Sequence, residues 1–330
     1  MDSLTQIVLG ASVAAVCVPQ GAKRKAAIMG AALGTLPDLD VFIDYGDAVT
    51  NFTYHRGFSH SLFVLIPVSL VLWTLLKRWY RPVQEAPYAW FAAIFLALIT
   101  HPVLDAHTAY GTQLFWPLSS PPVSWSTIFI IDPLYTLPLL VGTLFILIKP
   151  RASISPKVLA AGVALSSVYL MWTWAAKFFV DQQVLVSTKQ NQTQIFSTPT
   201  PFNSLLWRVV VLQDTHYLEG FYSLLESDQA IEFNRFKLNN DLLNQAKDLN
   251  AVKRLAWFTH GFMQSEIIEG QLVVSDIRMG FSDNYVFNHA VAELNVSQFS
   301  EIDSVLLPYQ FKSQDLDFVW RTLTRKSKQN

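Results

Sequence analysis

Six apolar runs follow one another through the first half of the chain, at roughly residues 4–18, 26–43, 61–76, 88–104, 127–148 and 158–180. Runs 127–148 and 158–180 reach the roughly 20 residues that a helix needs to cross a bilayer, and several others fall short unless flanking aromatic or small residues extend them. The first run has little positive charge before it and no small-residue cleavage site, so it reads as a short span or a half-inserted helix, not as a removed signal peptide. Gly10, Ala11, Ala14 and Ala15, then Gly30, Ala31, Ala32 and Gly34, give the first two runs small faces on which helix backbones can approach closely. Trp73, Trp79, Tyr80, Tyr88, Trp90 and Trp116 stand near run ends, where interfacial aromatic residues collect.

Beyond residue 180 the pattern changes. Val184-Leu185-Val186-Ser187 and the run Leu205 to Leu212 are rich in β-branched and aromatic residues, which predicts strands. Gly220, Gly261, Gly270 and Gly280 punctuate similar short runs, and Thr198-Pro199-Thr200-Pro201-Phe202-Asn203 reads as a stiff connector. The expected architecture is mainly α: a polytopic helical membrane domain over 1–180, followed by a soluble α+β or mainly β domain over 181–330.

Composition agrees with a membrane solvent. The 330 residues are 51% hydrophobic and 15% charged, against about 25% charged in an ordinary soluble chain. A net charge of -1 lacks the basic face that nucleic acid requires. The single Cys17 forms no internal disulfide and reads as a small buried residue. Lys23, Arg24 and Lys25 follow run one, Lys77, Arg78 and Arg81 follow run three, and Lys149, Arg151 and Lys157 follow run five, while the intervening connections carry only Arg56. By the positive-inside rule the three basic loops are cytoplasmic, which puts the 38–60 and 105–126 segments and everything beyond 180 on the opposite, periplasmic or extracytoplasmic, face.

Three polar clusters lie at ends of apolar runs on that face: Pro37-Asp38-Leu39-Asp40, Tyr54-His55-Arg56-Gly57-Phe58-Ser59-His60-Ser61 and His101-Pro102-Val103-Leu104-Asp105. Borderline divalent metals take imidazole nitrogen and carboxylate oxygen, and catalytic sites gather such ligands from separate segments. His101 and Asp105 are four apart, so a helix would place them on one face; the plainer reading is a His-Asp pair at a helix end. Pro-Asp-x-Asp is also ordinary turn chemistry. His55 and His60, five apart, do not share a helical face, and Gly57 could supply a bend turning both inward. Together Asp38, Asp40, His55, His60, His101 and Asp105 form a candidate ligand set for a divalent metal, Zn²⁺ first by ligand type. The mechanism they point to is metal-assisted hydrolysis, with Asp105 or Asp40 as ligand or base and Arg56 steadying negative charge, and a site near a membrane face suits a lipid-like or cell-envelope substrate. His107 is an additional ligand or, preferably, an exposed loop residue; Asp132 could orient a ligand histidine. His216, His260 and His289 lack ligand spacing. The competing classes are a non-catalytic ion-binding or transport protein and a scaffold whose ion cluster only fixes the helices.

Several ordered motifs resemble a known family: Asp2-Ser3-Leu4-Thr5-Gln6, Leu36-Pro37-Asp38-Leu39-Asp40, His55-Arg56-Gly57-Phe58-Ser59-His60-Ser61, His101-Pro102-x-Leu104-Asp105 and Gly111-Thr112-Gln113-Leu114-Phe115-Trp116-Pro117. Over about residues 1–180 they look like the YdjM-like or YfhP-like bacterial inner-membrane proteins, described as predicted metal-dependent hydrolases. The resemblance implies a polytopic helical domain in the bacterial inner membrane and the same six site positions. Members of the wider family carry a His where this chain has Gln6, a poor transition-metal ligand, which leaves a ligand there, or the metal count, open. More distantly, the arrangement is similar to that of zinc-dependent phospholipase C and P1-type nucleases, which implies phosphoester hydrolysis by analogy.

Overall fold

Pro37 stops the second apolar run. In the computed structural model, helix α2 (Lys23–Thr35) ends just before it and the chain turns through a 3-10 segment over Pro37–Phe42, because the proline ring clashes with a continuing helix and removes a donor. The predicted 26–43 run is therefore a helix plus a turn. The structure describes residues 1–188, 194–226, 230–281, 284–296, 298–310 and 313–324. These form two compact units: residues 1–43 with 56–174, and residues 44–55 with 175–330.

The first unit is helical. α1 (Ser3–Cys17) starts at Asp2, whose carboxylate accepts from the Thr5 amide, and pairs with α2 along the small faces. A Cβ built on Gly30 would lie 2.2 Å from the Gly10 carbonyl oxygen, so only glycine permits this approach. After α3 (Ala48–Tyr54), which belongs to the second unit, come α4 (Leu62–Trp79), α5 (Arg81–Glu85), α6 (Pro87–Ala106) and α7 (Pro133–Ile148). α4, α6 and α8 (Ser155–Thr188) are long and apolar enough to cross a membrane, whereas α1 and α7 are shorter apolar helices. α6 is the central one: Trp90, Ala93, Ile94, Ala97 and Leu98 are fully buried. α4 instead exposes Phe63, Leu70, Val71 and Leu75, a face for hydrocarbon rather than water.

The turn after α2, the turn before α4 and the end of α6 come close together, and Lys77 and Arg78 stand in the last turn of α4. With 18 residues in α4, the two ends are about 27 Å apart.

The second unit contains two four-stranded antiparallel sheets, in the orders β1-β2-β3-β4 and β10-β9-β6-β5. The first comprises β1 (Gln194–Pro199), β2 (Leu206–Leu212), β3 (His216–Ser223) and β4 (Phe233–Lys237). After α9 (Asn240–Ala246) and α10 (Asn250–Thr259), the second is built from β5 (Met263–Ile268), β6 (Gln271–Asp276), β9 (Asn288–Asn295) and β10 (Gln298–Leu306), with the small hairpin β7 (Gly280–Phe281) and β8 (Asn284–Tyr285) between. A final helix, α11, covers Ser313–Thr324. Residues 184–187 are not the predicted strand: they continue α8, whose Ala176, Val180 and Val184 pack on Trp207, Val209 and Val211. Burial of a helical stripe against the sheet outweighs the β preference of a four-residue run.

Candidate metal centre

Three segment ends in the first unit bring polar side chains together at one point. The turn after α2 carries Asp38 and Asp40, a 3-10 turn (Phe58–His60) before α4 carries His60, and the last two turns of α6 carry His101 and Asp105. Ligand atoms of Asp38, His60, His101 and Asp105 all lie within 4.8 Å of one another. The two histidine Nε2 atoms are 3.1 Å apart; His60 Nε2 is 3.4 Å from Asp38 Oδ1 and 3.2 Å from Asp105 Oδ2, and His101 Nε2 is 3.3 and 3.4 Å from the same two oxygens. The His60, His101 and Asp105 side chains are fully buried, whereas Asp38 is 26% exposed, so the cluster reaches the surface through one carboxylate.

The outer bonds decide what the imidazoles present inward. His101 Nδ1 lies 2.5 Å from the Gly34 carbonyl oxygen, which can only accept, so Nδ1 carries the proton and Nε2 the lone pair. Ser59 donates to Asp40 Oδ2 at 2.6 Å, which leaves its oxygen to accept from His60 Nδ1 at 2.9 Å; His60 thereby also turns its Nε2 lone pair inward. Two lone pairs and two carboxylate oxygens converging on one point repel unless a cation or a proton lies among them. Asp105 Oδ2 is buried and makes no hydrogen bond. This donor set, with hydrogen-bonded backs to both histidines, fits a divalent ion.

The first 180 residues match the model of the YdjM inner membrane protein family. The chain belongs to that family. It is 27% identical over 140 residues to the uncharacterized protein YfhP of Bacillus subtilis, covering 40% of this chain and 42% of that protein. It is also 34% identical over 88 residues to the inner membrane protein YbcI of Escherichia coli, covering 26% of this chain and 49% of that protein. The chain thus spans less than half the length of either relative. No solved structure matches it.

In this YdjM-family chain the other expected site residues take distinct places. Asp40 stands behind His60, accepting from Ser59 and from the Arg56 amide at 3.0 Å. Arg56 is buried over the Tyr110 ring, its Nε 3.3 Å from Asp105 Oδ2 and its Nη1 3.3 Å from Thr108 Oγ1. His55 is not among the four converging residues; it ends α3 in the other unit. The bend between the two histidines runs through both Arg56, at φ 61°, and Gly57, whose φ of -88° and ψ of -116° lie outside the α and β regions that other residues prefer. His107 is buried between Trp125 and Trp174 and bonds the Val103 carbonyl, so it is neither a member of the cluster nor an exposed loop residue. Asp132 caps α7 and accepts from the Tyr169 hydroxyl. Gln6 is buried, and its Nε2 donates to Asp105 Oδ1 at 3.0 Å and to the His101 carbonyl at 3.2 Å; Asp105 Oδ1 also accepts from the Met1 amino group. Ser59 and the Gly34 carbonyl were missed by sequence reasoning. Ser59 was readable, since it adjoins His60 in the same motif; a backbone carbonyl from another helix, although a usual partner of a ligand histidine, was not.

Proposed function

We propose that this chain is a membrane-bound metal-dependent hydrolase of a phosphoester, carried by a lipid-like or cell-envelope substrate. The observation that carries the reading is the convergence of two inward-facing Nε2 atoms and two carboxylates beside the Arg56 guanidinium, with Asp38 alone reaching the surface. Zn²⁺ is the preferred ion because imidazole and carboxylate ligands suit it. When bound, such an ion supplies Lewis-acid polarisation of the ester and lowers the pKa of water from about 16 toward 7. The chain's own groups do the rest: Asp40 and Ser59 hold the His60 ring, Gln6 fixes the Asp105 carboxylate, and Arg56 offsets the negative charge that builds on phosphoryl oxygens. The lipid-like class is supported by the apolar residues around the exposed edge. Leu39, Val41 and Phe42 are exposed on the turn that carries Asp38, and exposed Phe58 packs edge-on against Trp116 next to His60. The bacterial inner membrane, with the site and the C-terminal unit on the extracytoplasmic face, is the placement that the loop charges favour.

The test is metal analysis of the detergent-purified protein followed by turnover assays on a panel of soluble and acylated phosphoesters. Metal-dependent release of phosphate or of an alcohol is expected. Stoichiometric metal with no turnover on any ester would instead favour the ion-binding or transport reading.

A further inference from the structure

The candidate metal centre sits at the neck of a loop that the other unit holds. Asp40 and Arg56 are 16 positions apart in sequence, yet the Asp40 carboxylate accepts from the Arg56 amide at 3.0 Å. Between them, residues 44–55 leave the first unit and pack as part of the second. α3 has seven residues, well under the roughly 12–15 below which an isolated helix is marginal in water. Its order therefore comes from its neighbours. Phe52 packs its ring at a tilt against Phe258, Phe287 and His289, with ring centroids 4.7, 4.5 and 5.0 Å away. Arg254 donates to Thr53 Oγ1 at 2.9 Å and lies 4.3 Å over the Tyr54 ring, and the Val49 amide donates to Ser304 at 2.7 Å.

We propose that the C-terminal unit positions the metal centre: by gripping α3 through Phe52 and Arg254, it sets the separation between the segment ending in Asp38 and Asp40 and the segment beginning with Arg56 and His60. Phe52 and Arg254 are positioning residues, acting through the chain and not on the ion. A loop closed only at its neck would lose more conformational freedom when a ligand fixed both ends; a loop already ordered over α3 loses less. The coupling is reciprocal, so an ion that joins Asp38 to His60 also steadies α3. The inference rests on the metal-binding part of the proposed function and needs no hydrolysis.

The experiment is Zn²⁺ titration of the full-length protein in detergent against a chromophoric chelator, with hydrogen exchange followed at the 48–54 amides. Phe52→Ala and Arg254→Gln are each expected to weaken Zn²⁺ binding about 5-fold or more, with partial rescue in Phe52→Leu. Zn²⁺ should slow exchange across α3 in the unsubstituted protein, an effect absent from His60→Ala. Phe221→Ala loosens the same unit at the separate Phe221, Phe281 and Phe318 cluster and should leave the affinity unchanged. Arg254→Gln keeps the test decisive if Phe52→Ala does not fold. Unchanged affinity in Arg254→Gln and the folded Phe52 variants, or an equal loss in Phe221→Ala, overturns the positioning role while leaving the metal centre intact; failure of the unsubstituted protein to bind Zn²⁺ overturns the metal reading and the inference with it.

Discussion

His101 and Asp105 face one point because four residues make slightly more than one helical turn, and α6 runs unbroken through both. The same arithmetic turns His107 away, into the Trp125 and Trp174 rings. Asp105→Asn keeps size but removes charge, so it should abolish hydrolysis of whichever ester is cleaved, whereas His107→Ala should lower thermal stability and leave turnover per folded molecule nearly unchanged. Equal losses of turnover would contradict the assignment. His60→Ala and His101→Ala should each deplete bound metal in elemental analysis, since removing one ligand weakens coordination by the rest. Asp40→Asn acts one bond further out and should weaken affinity by roughly 10-fold. His55→Ala should bind metal normally, and reduced metal content there would place His55 in the site after all.

At the scale of elements, the packing of α1 on α2 decides where the Gly34 carbonyl stands, and that carbonyl accepts from His101. A Cβ on Gly30 would meet the Gly10 oxygen at 2.2 Å and the Ala14 Cβ at 2.5 Å, whereas one on Gly21 meets nothing within 4 Å. Gly30→Val should therefore destabilise the protein by about 1–3 kcal/mol or more and weaken metal binding as well. Gly21→Ala should leave both unchanged, as read from thermal melts in detergent with and without Zn²⁺. The helical segments were legible because apolar runs with small-residue faces have few alternatives in a membrane. Their ends were less so: Pro37 cut one run short, and α8 runs for 34 residues, about 51 Å against a hydrocarbon thickness of about 30 Å. Its extra turns are stabilised by Trp207, Val209 and Val211, distant in sequence and invisible to a local pattern.

For the whole molecule, the alternation of basic and neutral loops makes a topological claim. Cysteine labelling at about residues 50, 120 and 200 should report the extracytoplasmic side, and at about 80 and 153 the cytoplasm; a cytoplasmic residue 200 would refute it. The C-terminal unit should also respond to acid through His289, which is buried with neither ring nitrogen hydrogen-bonded. Burial pulls its pKa from 6.5 down to about 4, against the opposing pull of the Asp276 and Asp47 carboxylates. Between those values the unfolded chain binds more protons than the folded one, so stability is highest above pH 6.5, falls as pH drops toward 4, and levels off below. The loss from this group should approach about 3 kcal/mol. Denaturant titrations of the full chain at pH 7 and 4.5 measure it, and His289→Leu should show a shallower pH dependence; an identical slope would assign the effect to other groups.

What the residues determine locally is which segments are apolar, where prolines and charges interrupt them, and that His101 and Asp105 share a helix face, because helix geometry and hydrophobic transfer act over a few turns. Apolar periodicity alone could not say that Asp38 and His60 would meet those two, that Asp40 would stand behind His60, or that His55 would leave with α3 for the other unit. Those outcomes depend on glycine-to-carbonyl contacts between helices, on Arg56 adopting a left-handed conformation at φ 61°, and on aromatic neighbours for Phe52 that lie some 200 residues away in the chain. Each is a contact between segments distant in sequence, and only the folded chain brings them together.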